Sequence, residues 1–457
     1  MTRWTAAILA EWALDLDISD LPDAVIAKAE DCLIDALACA LAGADAKGTA
    51  RVMTVASAQY RDGPADVWFA TDRLHPTGAA FVNSTAVSIL DLDDGHRGPL
   101  GHPGAAVIPS ALAVAQETNA GGLELLAAVV ASYEVCTRIG ASERRPAYHT
   151  GNWSGFGAAA AAARLRGLSA EQLTHALAIT AYHGPRIADL TLSSDMGANV
   201  KESIPWSVVA GLNAADLAAQ GFTGCRDALD IDERFEPGRA TADLGGGFQI
   251  MDTYFKRYSA CRWIHGAVEA LLQVMTEHGL EAEHMDDVHV ETFRQAASLD
   301  NLADPPSPES AQYSLPYCLG IAATKGENAL MPMAADDLHD PAAVAFANKV
   351  TVTCHDALAA DFPTTVPSRV IVGTRSGIFE AQVDLPWGEP NGPTRRADLV
   401  AKFQALAAQR MCEHRATAIV AAVENLKNGP LDPLLDLLSR PAGNDMVALE
   451  ASRLTVG

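Results

Sequence analysis

The period of the hydrophobic pattern changes twice along these 457 residues, and that change limits the folds open to the chain. Up to about residue 250 the apolar side chains recur at helical spacing. Ile26, Ala29, Cys32, Leu33, Ala36, Leu37 and Ala40 mark one helix face, with Gly43 as a stop. Two further helical stretches fill 105–137, divided by Asn119-Ala-Gly-Gly. Six consecutive alanines, Ala158 to Ala163, let neighbours approach closely and predict a buried helix. The pattern then switches to alternation. Asp287-Val-His-Val-Glu-Thr-Phe, Lys349–Cys354, Ser368–Thr374 and Ile378–Leu385 read as half-buried strands. From Ala397 the helical spacing returns. This order predicts a mainly α protein with an α+β insertion. A large helical domain is expected from 1–251 and 396–457, and a smaller α+β lid domain from 252–395.

The length exceeds what one compact core organises and agrees with more than one domain. Apolar residues make up 49% and charged residues 20%, as in ordinary globular proteins. The net charge of −24 repels nucleic acid and anionic membranes, so neither is expected as a partner. It repels anionic substrates too, so a site for an acid needs local positive charge. Eight cysteines occur without a CxxC pair, which leaves zinc-ribbon and thioredoxin readings without support. The first residues meet a charge too early for a signal-peptide core, and no uncharged apolar run has membrane-spanning length. A reduced, cytoplasmic protein is expected.

Five polar clusters interrupt the apolar stretches. Asp91-Leu-Asp-Asp-Gly-His-Arg-Gly-Pro-Leu-Gly-His-Pro-Gly104 packs carboxylates, histidines, an arginine and glycines into one loop, as a ligand-approaching backbone requires. A solvated turn with aspartate caps has a similar composition. A calcium-loop reading fails because its twelfth position is His102 rather than a bidentate Glu. Tyr148-His-Thr-Gly-Asn-Trp-Ser-Gly-Phe-Gly157 opens the polyalanine helix, where free N–H groups favour an anion. Asp195-Met-Gly-Ala-Asn-Val-Lys-Glu-Ser-Ile-Pro-Trp206 carries Lys201, a residue type that is usually solvated. Phe255-Lys-Arg-Tyr-Ser-Ala-Cys-Arg-Trp-Ile-His265 groups basic side chains near the change of period. Ser314-Leu-Pro-Tyr-Cys-Leu places Tyr317 in an apolar run, where tyrosines are commonly packed core. No nucleotide loop of Walker or Rossmann spacing occurs.

The order of these clusters resembles the MmgE/PrpD family, which includes 2-methylcitrate dehydratase, cis-aconitate decarboxylase and iminodisuccinate epimerase. Leu33-Ile-Asp-Ala-Leu-Ala-Cys-Ala-Leu-Ala-Gly43 and Pro386-Trp-Gly-Glu-Pro with Lys402-Phe extend the resemblance over nearly the whole chain. It implies a helical domain built from both chain ends, an inserted lid, a site between them, and a homodimer. It also implies catalytic roles for Asp91, His102, His149, Lys201 and Tyr317. Substrate contacts are expected from His96, Arg97, Lys256, Cys261, Arg262 and His265. Two departures matter. Asp94-Gly95-His96-Arg97 stands where dehydratases and decarboxylases commonly show Asp-Asp-Thr. Cys261 stands where the decarboxylase has histidine, although His265 follows four residues later. The Gly-His-Arg loop looks closer to the epimerase branch.

The expected chemistry removes a proton α to a carboxylate of a small di- or tricarboxylic acid, without a cofactor or metal. Fixed positive donors would stabilise the dianion that forms. Arg97 would grip a carboxylate bidentately. A histidine or a desolvated lysine would act as base. Iminodisuccinate-type epimerisation is the leading expectation. Tricarboxylate dehydration or decarboxylation is the alternative, and a metal-dependent hydrolase or lyase using Asp91, Asp93 and His102 is a distant one.

Overall fold

The computed structural model describes residues 3–360 and 362–443. The described residues are mainly helical, with one four-stranded mixed sheet and two short two-stranded ladders, Ala65–Asp66 with Arg73–Leu74 and Gly95–His96 with Thr253–Tyr254, which the helical reading of this region did not foresee. The helices that position the site are α1 (Asp23–Gly43), α2 (Pro76–Ser88), α3 (Gly104–Thr118), α4 (Gly122–Ala141) and α5 (Ser154–Leu165). They continue with α6 (Ala170–His183), α7 (Ile204–Ala219), α8 (Arg262–His278), α9 (Leu315–Lys325) and α10 (Arg396–Ala407). The strands of the four-stranded sheet are β1 (Met285–Thr292), β2 (Val350–Cys354), β3 (Ser368–Thr374) and β4 (Gly377–Val383).

Helix α1 ends at Gly43, and α3 ends where Asn119 adopts the left-handed conformation at φ 54°. All six residues Ala158 to Ala163 are buried within α5, which packs on α3, α4 and α7. The crossing of α5 and α7 depends on absent side chains. A Cβ on Gly211 would stand 2.1 Å from the Gly155 carbonyl oxygen, and Ser154 and Ser207 bond across the same crossing at 2.8 Å. Close passage of the two backbones brings the segments before these helices together.

The sheet has the order β2-β1-β3-β4, with β1 parallel to β2 and antiparallel to β3. Its register follows from burial. Val288, Val290 and Thr292 face Val372, Val370 and Ser368, and all six are buried. Met285 is buried as well, although it lies three residues from Val288. The register shift between Met285 and Asp287 absorbs the extra residue. Helix α8 covers β3 and β4.

Among the described residues, buried apolar side chains form two clusters. One runs from Ala6 to Phe255 and resumes from Leu399 to Leu438. The other joins Tyr148 and Met196 to residues between Tyr258 and Val372. On this division we propose the two-domain organisation, with boundaries near 251 and 395. The chain ends are tied together by Arg396 on α10, which reaches Glu30 at 2.7 Å and Asp31 at 2.6 Å on α1. Among the described residues no helix is long and apolar enough to cross a membrane.

Candidate active site

Three loops meet ahead of α3, α5 and α7. The first runs from Asp91 to Gly104. His96 and Gly101 exchange backbone hydrogen bonds, which closes it into a tight hairpin, and Asp91 holds a left-handed φ of 52°. Asp94 fixes its end. One carboxylate oxygen accepts the Gly104 N–H at 3.0 Å and the other accepts the Tyr133 hydroxyl at 2.6 Å. A Cβ on Gly104 would come within 2.6 Å of that hydroxyl, so glycine is needed there. The second loop carries His149 and Thr150. The third carries Lys201 and Ser203, both left-handed at φ 50° and 60°. A backbone held so at a non-glycine residue costs about 1 kcal/mol or more, and such strain concentrates at functional sites.

These loops and the segment before α8 place Asp91 at the centre of a buried cluster. Its Oδ1 lies 3.1 Å from Lys256 Nζ, 3.7 Å from Lys201 Nζ and 3.8 Å from His102 Nε2. Burial alone would raise the Asp91 pKa, but Lys201, Lys256 and His102 outweigh it and hold the carboxyl well below the usual range. Burial works against the Lys256 charge, yet Asp91 and Asp93 keep its ammonium above the ordinary lysine value. Lys201 also donates to Gln312 Oε1 at 2.7 Å and sits 5.1 Å above the Tyr313 ring. Gln312 in turn donates to the Ile89 carbonyl at 3.1 Å.

His102 has a fixed orientation. Its Nδ1–H donates to the Asp94 carbonyl at 2.7 Å, which leaves Nε2 as the nitrogen turned to the cluster. Nε2 faces Asp91 and, at 3.6 Å, Glu202 Oε1. Glu202 Oε2 accepts the Thr150 N–H at 3.0 Å and the Thr150 hydroxyl. Buried polar atoms without a hydrogen-bond partner among the described residues gather here, namely Lys256 Nζ, Tyr313 Oη and Asp93 Oδ2. Each costs roughly 1–3 kcal/mol, so such a group of them marks a place prepared for a ligand.

Several sequence-level expectations change in this light. Asp91, His102, Lys201 and Lys256 come together as expected, and Cys261 lies beside them. Burial, reinforced by Asp91, pushes the Cys261 thiol up to about 12, which makes it an uncharged wall rather than a nucleophile. The side chain of His149 turns to Glu143, at 2.6 Å. Tyr317 does not enter the cluster, because its hydroxyl donates to the Asp337 carbonyl. Tyr313 faces the cluster instead. It precedes the α9 cap Ser314 and so escapes the helix geometry that turns Tyr317 away. Arg97 is no free carboxylate clamp. It donates to Glu389 at 2.5 Å and to the Thr364 carbonyl at 2.9 Å, and Arg262 shares the same Glu389 oxygen. His96 is used structurally, since Nδ1 accepts the Gly98 N–H and Nε2–H donates to the Gln249 carbonyl. His265 Nε2–H donates to the Ala260 carbonyl, and burial holds the imidazole neutral, with its pKa well below the ordinary value. Sequence reading missed Glu202, although it adjoins Lys201, because nothing local reveals that a carboxylate faces a histidine a hundred residues away.

Charge also falls out differently from the expected positive patch. Asp91, Asp93 and Glu202 face Lys201, Lys256 and His102, so acidic groups offset the two ammonium groups. The surplus positive charge lies in Arg97 and Arg262, which share one carboxylate and stack over Tyr254. A Cβ on Gly95 would stand 2.3 Å from the Tyr254 ring, so Gly95 serves the placement of that tyrosine. Asp91, Asp93 and His102 could each offer one ligand atom within a 4.8 Å sphere. This donor set fits a metal poorly, because the two ammonium groups on Asp91 already supply the charge that a cation would bring.

Asp94 supports a pH prediction. Burial pushes its carboxyl from the ordinary 3.8 up to about 7. The native state then binds a proton between those values that the unfolded chain releases. Stability from Asp94 is complete at low pH and is lost as pH rises through about 7. Asp94→Asn is expected to gain stability relative to wild type from pH 5 to pH 8, by about 3 kcal/mol at most. Thermal unfolding across that range checks it, and a difference that does not change with pH contradicts it.

Comparison with known proteins gives the family but does not reproduce the boundary near 395, since the second matched domain runs on into α10 and beyond. Residues 7–238 match the MmgE/PrpD N-terminal domain, and residues 258–428 match the MmgE/PrpD C-terminal domain. Cis-aconitate decarboxylase of Mus musculus is 26% identical over 471 residues, covering 96% of this chain and 93% of its own length. Cis-aconitate decarboxylase of Aspergillus terreus is 24% identical over 478 residues, covering 96% of each. Cis-aconitate decarboxylase of Homo sapiens is 25% identical over 452 residues, covering 90% of each.

Proposed function

The chain belongs to the MmgE/PrpD family, and on that premise we propose that it is a lyase acting on a small tricarboxylate of the cis-aconitate class. Decarboxylation is the preferred reaction. The observation that carries this reading is the buried Asp91–Lys201–Lys256–His102 cluster, with Lys256 Nζ and Tyr313 Oη lacking hydrogen-bond partners. Relatives named as cis-aconitate decarboxylases along nearly the full length favour the lyase over the epimerase. So does the employment of His96 and Arg97 in structural bonds, because their loop was the main reason to expect an epimerase.

In this reading Lys201, Lys256 and Tyr313 bind substrate carboxylates. The carbon–carbon bond to one carboxylate breaks, carbon dioxide leaves, and the electron pair stays on the carbon skeleton. His102 Nε2–H delivers a proton to that carbon and is recharged from solvent. A dehydratase would use the same nitrogen as base and a second group as acid for the departing hydroxyl.

One observation favours epimerisation as a second reading. Two histidine–carboxylate pairs, His102–Glu202 and His149–Glu143, flank Thr150, and an epimerase needs two proton-handling groups. Incubation in D₂O with a panel of di- and tricarboxylates, followed by NMR, separates the readings. Loss of carbon dioxide with deuterium in the product is expected. α-Deuteration with inversion and no loss of carbon dioxide or water would overturn the lyase reading.

A further inference from the structure

We propose that Glu202 is the positioning residue that keeps the proton on His102 Nε2, so that His102 works as the acid of the reaction. The inference rests on the lyase reading for its chemistry but on geometry for its substance. Glu202 is 2% exposed, a costly place for a carboxylate without a purpose. One of its oxygens is fully employed by the Thr150 N–H and hydroxyl. The other faces His102 Nε2 from 3.6 Å.

The surrounding backbone is shaped for this contact. Thr150 Oγ1 also accepts the His102 N–H at 3.2 Å, so one threonine fixes the main chain of the histidine and the side chain of the glutamate. A Cβ on Gly101 would stand 2.1 Å from that same oxygen, and one on Gly151 would stand 2.5 Å from the Glu202 carbonyl. The Gly151 N–H bonds that carbonyl at 2.9 Å. Two glycines and a threonine thus hold Glu202 against the histidine.

The charges that face His102 show why it needs this carboxylate. Asp91 Oδ1 lies 3.8 Å from Nε2, but it is shared with Lys201 and Lys256 and is largely spent on them. Asp93 Oδ2 lies 3.5 Å from Nδ1, the side already committed to the Asp94 carbonyl. The Tyr148 ring meets the imidazole edge-on and brings no charge. Among the described residues, Glu202 is therefore the carboxylate that faces Nε2 without also pairing with a lysine. Its negative charge favours the imidazolium, and its rigid hold keeps the N–H aimed. When the proton passes to carbon, Glu202 favours its replacement from solvent.

The test compares wild type with Glu202→Gln, which keeps shape and removes charge. Histidine-labelled protein is titrated by ¹⁵N NMR without substrate, and His102 is assigned by its loss in His102→Gln. The His102 midpoint is expected to fall by about one unit in Glu202→Gln, with the Nδ1–H tautomer kept. With substrate, kcat is expected to fall roughly 10–100-fold near pH 7 and to recover as pH is lowered, while KM changes little. An unmoved midpoint overturns the proposal, as does a loss of kcat that is the same at every pH. A midpoint that falls in a protein converting no tricarboxylate upholds the role of Glu202 and rejects the lyase reading instead. Should Glu202→Gln fail to fold, Thr150→Val removes the hydroxyl anchor of the carboxylate, leaving the backbone N–H, without neutralising it. A smaller shift of the same sign then supports the proposal, and none overturns it.

Discussion

Lys256→Met is expected to lower kcat/KM by about 10²–10³-fold, the usual loss when one preorganised positive donor is removed from a developing anion. Lys256 is fully buried and 3.1 Å from Asp91 Oδ1, at a geometry short of an aligned hydrogen bond. Its ammonium protons are therefore free for a substrate carboxylate. Methionine retains most of the volume and removes the charge. Lys201 and His102 continue to stabilise Asp91, so the fold should survive, as circular dichroism would show. Steady-state kinetics on the accepted substrate would measure the effect. A variant with more than a tenth of wild-type kcat/KM would remove Lys256 from the chemistry.

Lys402→Met is expected to cost about 3–5 kcal/mol of stability, because it leaves a buried charge without its partner. Lys402 on α10 donates to Asp35 Oδ1 on α1 at 2.6 Å and to the Leu92 carbonyl at 2.9 Å. Both side chains are buried. Burial raises the Asp35 pKa and Lys402 opposes it, so loss of the lysine leaves a carboxyl that must take a proton or unfold its surroundings. The bond to Leu92 also holds the loop between Asp91 and Asp93, so activity should fall with stability. An apparent Tm lower by roughly 5–10 °C is expected. The double variant Asp35→Leu/Lys402→Met, which removes both charges, should recover most of that loss but not the activity. A double variant no more stable than the single one would show that the pair does not act through its charge.

The fold was legible where local pattern decides structure. Strands read at Asp287–Phe293 and Lys349–Cys354 appear at Met285–Thr292 and Val350–Cys354, because alternate side chains turn to the core, Val288 and Val290 buried and Val350 and Val352 partly so. The predicted helix break at Asn119 appears as a left-handed residue. The bulge near Met285 was invisible, since it depends on the partner strand.

The site was legible in its residue types and not in its pairings. Asp91, His102, Lys201 and Lys256 stand out because charges interrupt apolar runs. What they touch is decided by chain segments far away. Nothing near Arg97 says that it will share Glu389 with Arg262, and nothing near Tyr317 says that Tyr313 will face the lysines. Glu202 lay in plain view beside Lys201, yet its meaning depends on Thr150 and His102.

The decisive measurement is release of labelled carbon dioxide from carboxyl-¹³C cis-aconitate by purified wild type beside Lys201→Ala and Lys256→Met. Wild type is expected to release it, and both variants are expected to lose the release while remaining folded. Release undiminished in either variant, or no release by wild type, would contradict it.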